Sequence, residues 1–292
     1  MTTAVMTLVA RCESAPKYMP AYGAWTGRGK KFRSLSLILT GRRQKNKTVS
    51  LPAISAVSGG MAADNHRVDH ARRLSHVRWL AGGTGSGKST LARALAERYD
   101  VLIYDGDRAE RDYVSRCTAH EQPYLWALLQ APLAQNWSGR SAQEIFESMP
   151  SLHGETFGFV VDDLLALPTE RPVLVDDFRT LPREVAPLLT WPEQAAFLLP
   201  TPQFRDGALR ARFADDARAR ANWGDGDHSE ALALRLARDE LWDAEVRRQA
   251  IKLRLPVITV DGSCEAHDLV DDLAARFRLD HRQLVGPPIS IS

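Results

Sequence analysis

The sequence predicts an α/β fold, an open parallel sheet with helices packed on it, and three observations carry that reading. Five short apolar runs recur between residues 76 and about 280, each followed by a loop and then a helical period. The first run passes into a glycine-rich loop and then a helix. Two further runs end in carboxylates, Asp105-Gly106-Asp107 and Asp176. In open α/β sheets ligands bind beyond the carboxyl ends of the strands.

Residues 76–81 read as the first strand and residues 90–98 as the helix after it, with Leu91, Ala94 and Leu95 on one face. Between them Gly82, Gly83, Thr84, Gly85, Ser86, Gly87, Lys88 and Ser89 fit G-x-x-x-x-G-K-[ST], and Thr90 follows. Each letter answers a chemical need. The glycines let the backbone curl so that successive N–H groups face a phosphate. Lys88 would reach the β and γ phosphates, and Ser89 would place its hydroxyl on Mg²⁺. The helix start adds the positive end of its dipole. Beyond residue 76 lysine occurs only at Lys88 and Lys252, although arginine is abundant, so a lysine here is not generic surface charge. The bland alternative is a glycine-rich turn that binds nothing.

Residues 101–104 form the second strand and lead into Asp105 and Asp107, a pair of carboxylates at the edge of the sheet or else a solvated Asp-Gly turn. Residues 108–168 read as mainly helical. Ser141 and Glu144 have capping-box spacing, and Pro150 and Pro168 bracket a helix carrying Phe157, Val160, Val161, Leu164 and Leu165. Tyr124, Trp126 and Trp137 either line a pocket or fill the core. Residues 172–177 are the third strand; an apolar run ending in Asp176 suits a carboxylate that holds the Mg²⁺ shell. Arg179 then faces either a phosphate or solvent.

Residues 194–199 are the fourth strand. Arg205, Arg210, Arg212, Arg218 and Arg220 follow, mixed with acids, and residues 223–227 read as a flexible stretch. Hinged arginines suit phosphoryl transfer, and an exposed salt-bridged helix is the alternative. Ser229 is expected to cap a helix to about Arg254 with Leu232, Leu234, Leu236, Leu241 and Ala244 as its apolar positions. Residues 256–260 are the fifth strand, and a last helix carries Leu269, Leu273 and Phe277.

Composition narrows the classes. A chain of 292 residues makes one large domain or two small ones. No apolar run approaches the roughly 20 residues that cross a bilayer. Three scattered cysteines without a C-x-x-C pair fit no disulfide framework or zinc site and suit a reducing cytoplasm. The net charge of +2 hides an asymmetry. Residues 1–60 hold ten Lys or Arg against Glu13, a balance of +9, which leaves −7 for the remainder. The body is therefore no bulk nucleic-acid binder. Residues 1–75 read as a disordered or dispensable extension, with a targeting peptide as the alternative, and Met61 is a possible start. Residues 281–292 read as a tail.

From residue 76 to about 280 the chain resembles the P-loop small-molecule kinases, the group of shikimate, gluconate, nucleotide and antibiotic kinases. It is similar as well to actinobacterial proteins described as P-loop or ATPase-like. The motif at residues 82–89 carries most of the likeness, with Asp105, Asp107, Asp176, the arginine segment and the turn Val260-Asp261-Gly262-Ser263 adding to it. The resemblance implies a three-layer α/β/α P-loop NTPase with a five-stranded sheet in the order 2-3-1-4-5 and a helical lid. It implies ATP with Mg²⁺ held by Ser89 and Asp176, and an acid, Asp105 or Asp107, that binds or deprotonates the acceptor. Arg210 and Arg212 are the expected lid arginines. No motif fixes the acceptor. No downstream N-K-x-D reads guanine and no L-S-G-G-Q marks a transporter ATPase.

The function expected is an ATP-dependent phosphotransferase acting on a small molecule, without a membrane or nucleic-acid partner. A nucleotide switch acting on a protein is the rival, and nucleic-acid processing anchored by the basic extension is a third.

Overall fold

The computed structural model describes residues 69–279, which form an α/β structure around a five-stranded, all-parallel sheet in the order β2-β3-β1-β4-β5. What the sequence predicts for residues 1–68 and 280–292 lies outside the described residues. The packed body reaches back to Leu74, which is fully buried.

Strand β1 (Val77–Gly82) is buried along its whole length, as its apolar run requires. It pairs with β3 (Val173–Asp176) on one side and β4 (Ala195–Pro200) on the other. Strand β2 (Leu102–Asp105) forms one edge and β5 (Val257–Val260) the other. The residues of each central strand alternate between two cores, as a period of two demands. Val77, Trp79, Val173, Val175, Phe197 and Leu199 face one cluster, and Leu80, Leu174, Ala196 and Leu198 face the other.

Helices cover both faces. Helix α1 (Lys88–Arg98) follows β1, and its Leu91, Ala92 and Leu95 fill the second cluster with Val270, Leu273 and Phe277 of α10 (Ala266–Phe277). The first cluster is covered by α2 (Gly106–Arg116), α3 (Pro123–Gln130), α5 (Phe157–Ala166), the short α6 (Pro182–Val185) and the C-terminal half of α9 (His228–Leu253). Helix α4 (Ala142–Glu147) opens on the expected capping box of Ser141 and Glu144. Helices α7 (Pro202–Arg212) and α8 (Asp216–Trp223) join the start of α9 in a third cluster around Leu209, Ala219, Trp223 and Leu232.

Three expectations about this region are corrected. Trp223 does not open a flexible stretch; it ends α8 almost fully buried, tilted against Phe213 with 4.4 Å between ring centroids. Asp227, not Ser229, caps α9, because its carboxylate takes the N–H groups of both Ser229 and Glu230. Of the predicted apolar positions of α9, Leu232 is buried and Leu236 partly buried, whereas Ala244 is exposed; the buried face comprises Ala231, Leu232, Arg238, Asp239, Trp242, Val246, Gln249 and Ala250. Arg238 and Asp239 are tolerated inside because they pair with each other.

Among the described residues no helix is long and apolar enough to cross a membrane.

Candidate functional site at the carboxyl edge of the sheet

The sheet order places the end of β1 between the ends of β3 and β4, and the glycine loop leaves from there. Gly82 lies opposite Leu198, and a Cβ on it would stand 2.2 Å from the Leu198 carbonyl oxygen, so only glycine fits. Gly85 and Gly87 have φ of 77° and 82°, the left-handed region that curls the loop. Among the described residues, no backbone carbonyl accepts from the N–H groups of Gly85, Ser86, Gly87, Lys88 or Ser89. Gly87 starts α1 without a side-chain cap, and the first turn holds no acid. The result is a curled run of amide donors ending on a bare helix N-terminus, the arrangement that binds anions.

Lys88 is buried in this loop. Its Nζ donates to the Gly83 carbonyl at 2.6 Å and to Ser86 Oγ at 3.3 Å, and Ser86 in turn donates to the Gly83 carbonyl at 2.9 Å. Burial pushes the Lys88 ammonium down from its ordinary value, against the pull of Asp176, Asp107, Asp177 and Asp243. A buried cation held among carboxylates is what an incoming polyanion would take over.

Asp176 ends β3, in register with both Leu80 of β1 and Asp105 of β2. Ser89 lies close enough to favour its charged form. Burial raises the Asp176 carboxyl, Lys88 and Ser89 oppose the rise, and Asp107 and Asp105 add to it. Among the described residues no three or more His, Cys, Asp or Glu form a metal cage. A nucleotide-bound Mg²⁺ needs less: one or two carboxylates, with phosphate oxygens and waters completing the octahedron. The donor pair Ser89 and Asp176 fits that requirement.

Asp105 caps α2, accepting from the Arg108 N–H at 3.1 Å, while Asp107 stands in the first turn of that helix. Asp107 is half exposed and takes Arg179 Nη1 on Oδ1 at 3.0 Å. Burial works against its charge, but Arg179, then Lys88 and Arg212, hold its carboxyl below the usual carboxylate range.

The two expected lid arginines part company. Arg210 is exposed and doubly bonded to Asp206 one turn back, so it lies away from the loop. Arg212 stays close enough to Asp107 to help hold it ionised. Helical spacing explains the split. At 100° per residue Arg205, Ala208, Leu209 and Arg212 share one face, and Arg210 is turned well off it. That face meets the loop, for a Cβ on Gly85 would touch Ala208, Arg205 and Leu209.

Arg205 belongs to the arginine group predicted after the fourth strand, whereas Arg235, Arg238, Asp239 and Asp243 of α9 escaped the sequence reading. Arg205 is buried, pairs with Asp243 of α9, and reaches the Thr84 carbonyl at 3.4 Å. Arg235 of α9 reaches Thr84 Oγ1 at 3.5 Å and pairs with Asp239 at 3.0 Å. Arg235 and Arg238 both lie over the ring of Trp137, so this tryptophan is neither simple core nor open pocket wall. Arg179 faces neither phosphate nor solvent, being held by Glu110, Asp107 and Asp177. The signal for the α9 group was present as Arg235, Arg238, Asp239, Trp242 and Asp243 at helical spacing, hidden by a search restricted to apolar positions.

No family model matches the chain, and no curated protein matches it. Among solved structures, an uncharacterized protein from Eubacterium ventriosum ATCC 27560 is similar at 14% identity and a TM-score of 0.35, covering 69% of this chain and 97% of that one, a likeness too distant to carry function.

Proposed function

We propose that the protein is a P-loop phosphotransferase that uses ATP and Mg²⁺ to phosphorylate a small molecule. The observation that carries the reading is the motif loop itself: curled amides and buried Lys88 between β1 and α1, with Ser89 beside Asp176 at the carboxyl edge of the sheet. In this reading the loop amides and Lys88 grip the triphosphate. Ser89 and Asp176 would hold Mg²⁺, which would supply neutralisation of the phosphate charge.

The acceptor oxygen forms a bond to the γ phosphorus as the bond from that phosphorus to the bridging oxygen breaks, and ADP leaves. The hydroxyl proton passes to a carboxylate or to water. Asp107 is the carboxylate this reading favours, since Lys88 of the loop acts on it, while Asp105 caps α2. Its depressed basicity suits holding the hydroxyl in line more than removing its proton early. That is sufficient for a loose phosphoryl transition state, where positioning and electrostatics supply most of the rate. Arg212 and Lys88 neutralise charge as it develops.

Lys88→Ala should weaken ATP binding by calorimetry roughly tenfold or more, because it removes a charge-assisted hydrogen bond of about 1.5–3 kcal/mol. Unchanged affinity refutes the loop assignment. Acceptor-dependent ADP release in a metabolite screen is the companion test. One observation favours the rival switch: Arg205 and Arg235 tie helices α7 and α9 to Thr84, a route by which nucleotide binding moves them. ATP binding without stimulation by any acceptor would put that reading first.

A further inference from the structure

We propose that the acceptor end of this site selects an alcohol without negative charge, either uncharged or carrying an ammonium group, and that Glu110 sets this selectivity. The proposal rests on the phosphotransferase reading and names the chemical class of its second substrate.

An acceptor bearing a carboxylate or phosphate needs a guanidinium or ammonium with donors to spare. The arginine that follows β3 at this end of the sheet is Arg179. Its Nε and Nη2 donate to the two oxygens of Glu110 at 2.8 and 2.5 Å. Its Nη1 donates to Asp107 at 3.0 Å and to Asp177 at 2.9 Å. At least four of its five N–H donors therefore already face three carboxylates. The side chain is 8% exposed and its guanidinium lies 4.4 Å from the centre of the Phe178 ring, so it is fixed in that role. The bidentate grip comes from Glu110, whose side chain is itself only 12% exposed.

Of the other arginines, Arg116 is held by Asp163 and Arg183 by the Leu152 carbonyl, while Arg212, which acts on Asp107, serves the transferring phosphates in this reading. Lys88 belongs to the phosphate loop.

What the site does present is an acceptor atom. Asp107 gives Oδ1 to Arg179, stays half exposed, and its Oδ2 takes no hydrogen bond from the described residues. A hydroxyl or ammonium can donate to that oxygen, whereas a carboxylate or phosphate has nothing to donate and meets like charge. Around Arg179 itself three carboxylates face one guanidinium, and this disfavours an anion there as well as welcoming donors.

The test uses the full chain saturated with a non-hydrolysable ATP analogue, so that the phosphate loop is filled, and titrates inorganic sulfate by calorimetry. The wild type should bind no sulfate at millimolar concentration. Glu110→Gln releases the bidentate grip on Arg179 and should gain sulfate binding tenfold or more, while Glu110→Asp, which keeps the charge, should behave as wild type. In turnover, neutral and ammonium probes (glycerol, myo-inositol, glucosamine, ethanolamine) are set against gluconate and glycerol 3-phosphate. Stimulation of ADP release by a member of the first set and not the second is the expected result. Sulfate binding by the wild type, or stronger stimulation by an anionic probe, overturns the acceptor class while leaving the phosphotransferase reading intact. Sulfate affinity unchanged in a folded Glu110→Gln protein overturns the role of Glu110. Failure of the analogue to bind overturns the phosphotransferase reading and this proposal with it.

Discussion

At the scale of single residues, the loop glycines and Lys88 each answer a backbone or charge requirement. The roles of Gly82, Gly85, Gly87 and Lys88 follow from a motif of eight consecutive residues. Arg179 could not be read the same way, because its partners Glu110 and Asp107 come from a different helix some 70 residues earlier. Glu184 is a similar case. Nothing in its neighbourhood marks it, yet burial pushes its carboxyl up to about 7, against the pull of the Leu181 N–H and Arg183, with Asp177 adding to the rise. The folded state thus holds this proton more tightly than the unfolded chain does. Its contribution to stability is complete below about pH 4.5 and is lost as pH rises through 7. Glu184→Gln removes that loss. Between pH 4.5 and 8 the variant should gain on the wild type by up to about 3 kcal/mol, read from denaturant midpoints at each pH. A pH-independent difference would show that Glu184 does not titrate in this window.

At the scale of elements, the strands and the capping box were predicted because apolar runs and cap residues signal directly. Helix α9 was predicted as a helix but with only part of its buried face. That face carries the ions Arg238 and Asp239, with Asp243 beside them, and buried ions need partners, here Arg205 of α7 for Asp243. That pair joins α7 to α9 just behind the loop, where a Cβ on Gly83 would stand 2.5 Å from Asp243 Oδ1. Burial raises the Asp243 carboxyl to about 6, and Arg205 opposes the rise. Arg205→Met should therefore leave a buried carboxylate unpaired at pH 8, costing about 3–5 kcal/mol. The cost should shrink at pH 5, where the carboxyl binds a proton and becomes neutral. Thermal melts at the two pH values check this, and an equal loss at both would mean that the arginine acts through packing alone.

At the scale of the whole molecule, the parallel sheet followed from the repeated strand–loop–helix pattern, while its strand order came from the family likeness and agrees with the structure. That order has a consequence for synthesis. Strand β1 is made first, but its neighbours β3 and β4 start at Val173 and Ala195, about a hundred residues later. At roughly 5–20 residues per second, β1 leaves the ribosome some 5–20 seconds before β3 exists. For that interval a mostly apolar strand, with Trp79 at its centre, has no sheet to join. Ribosome-bound chains arrested near residue 170 should be captured by holdase chaperones, and chains arrested after α10 has cleared the exit tunnel should not. Equal capture of the two would show that the early strand is sheltered without its neighbours. The centre of the finished molecule is thus the most vulnerable part of the nascent one.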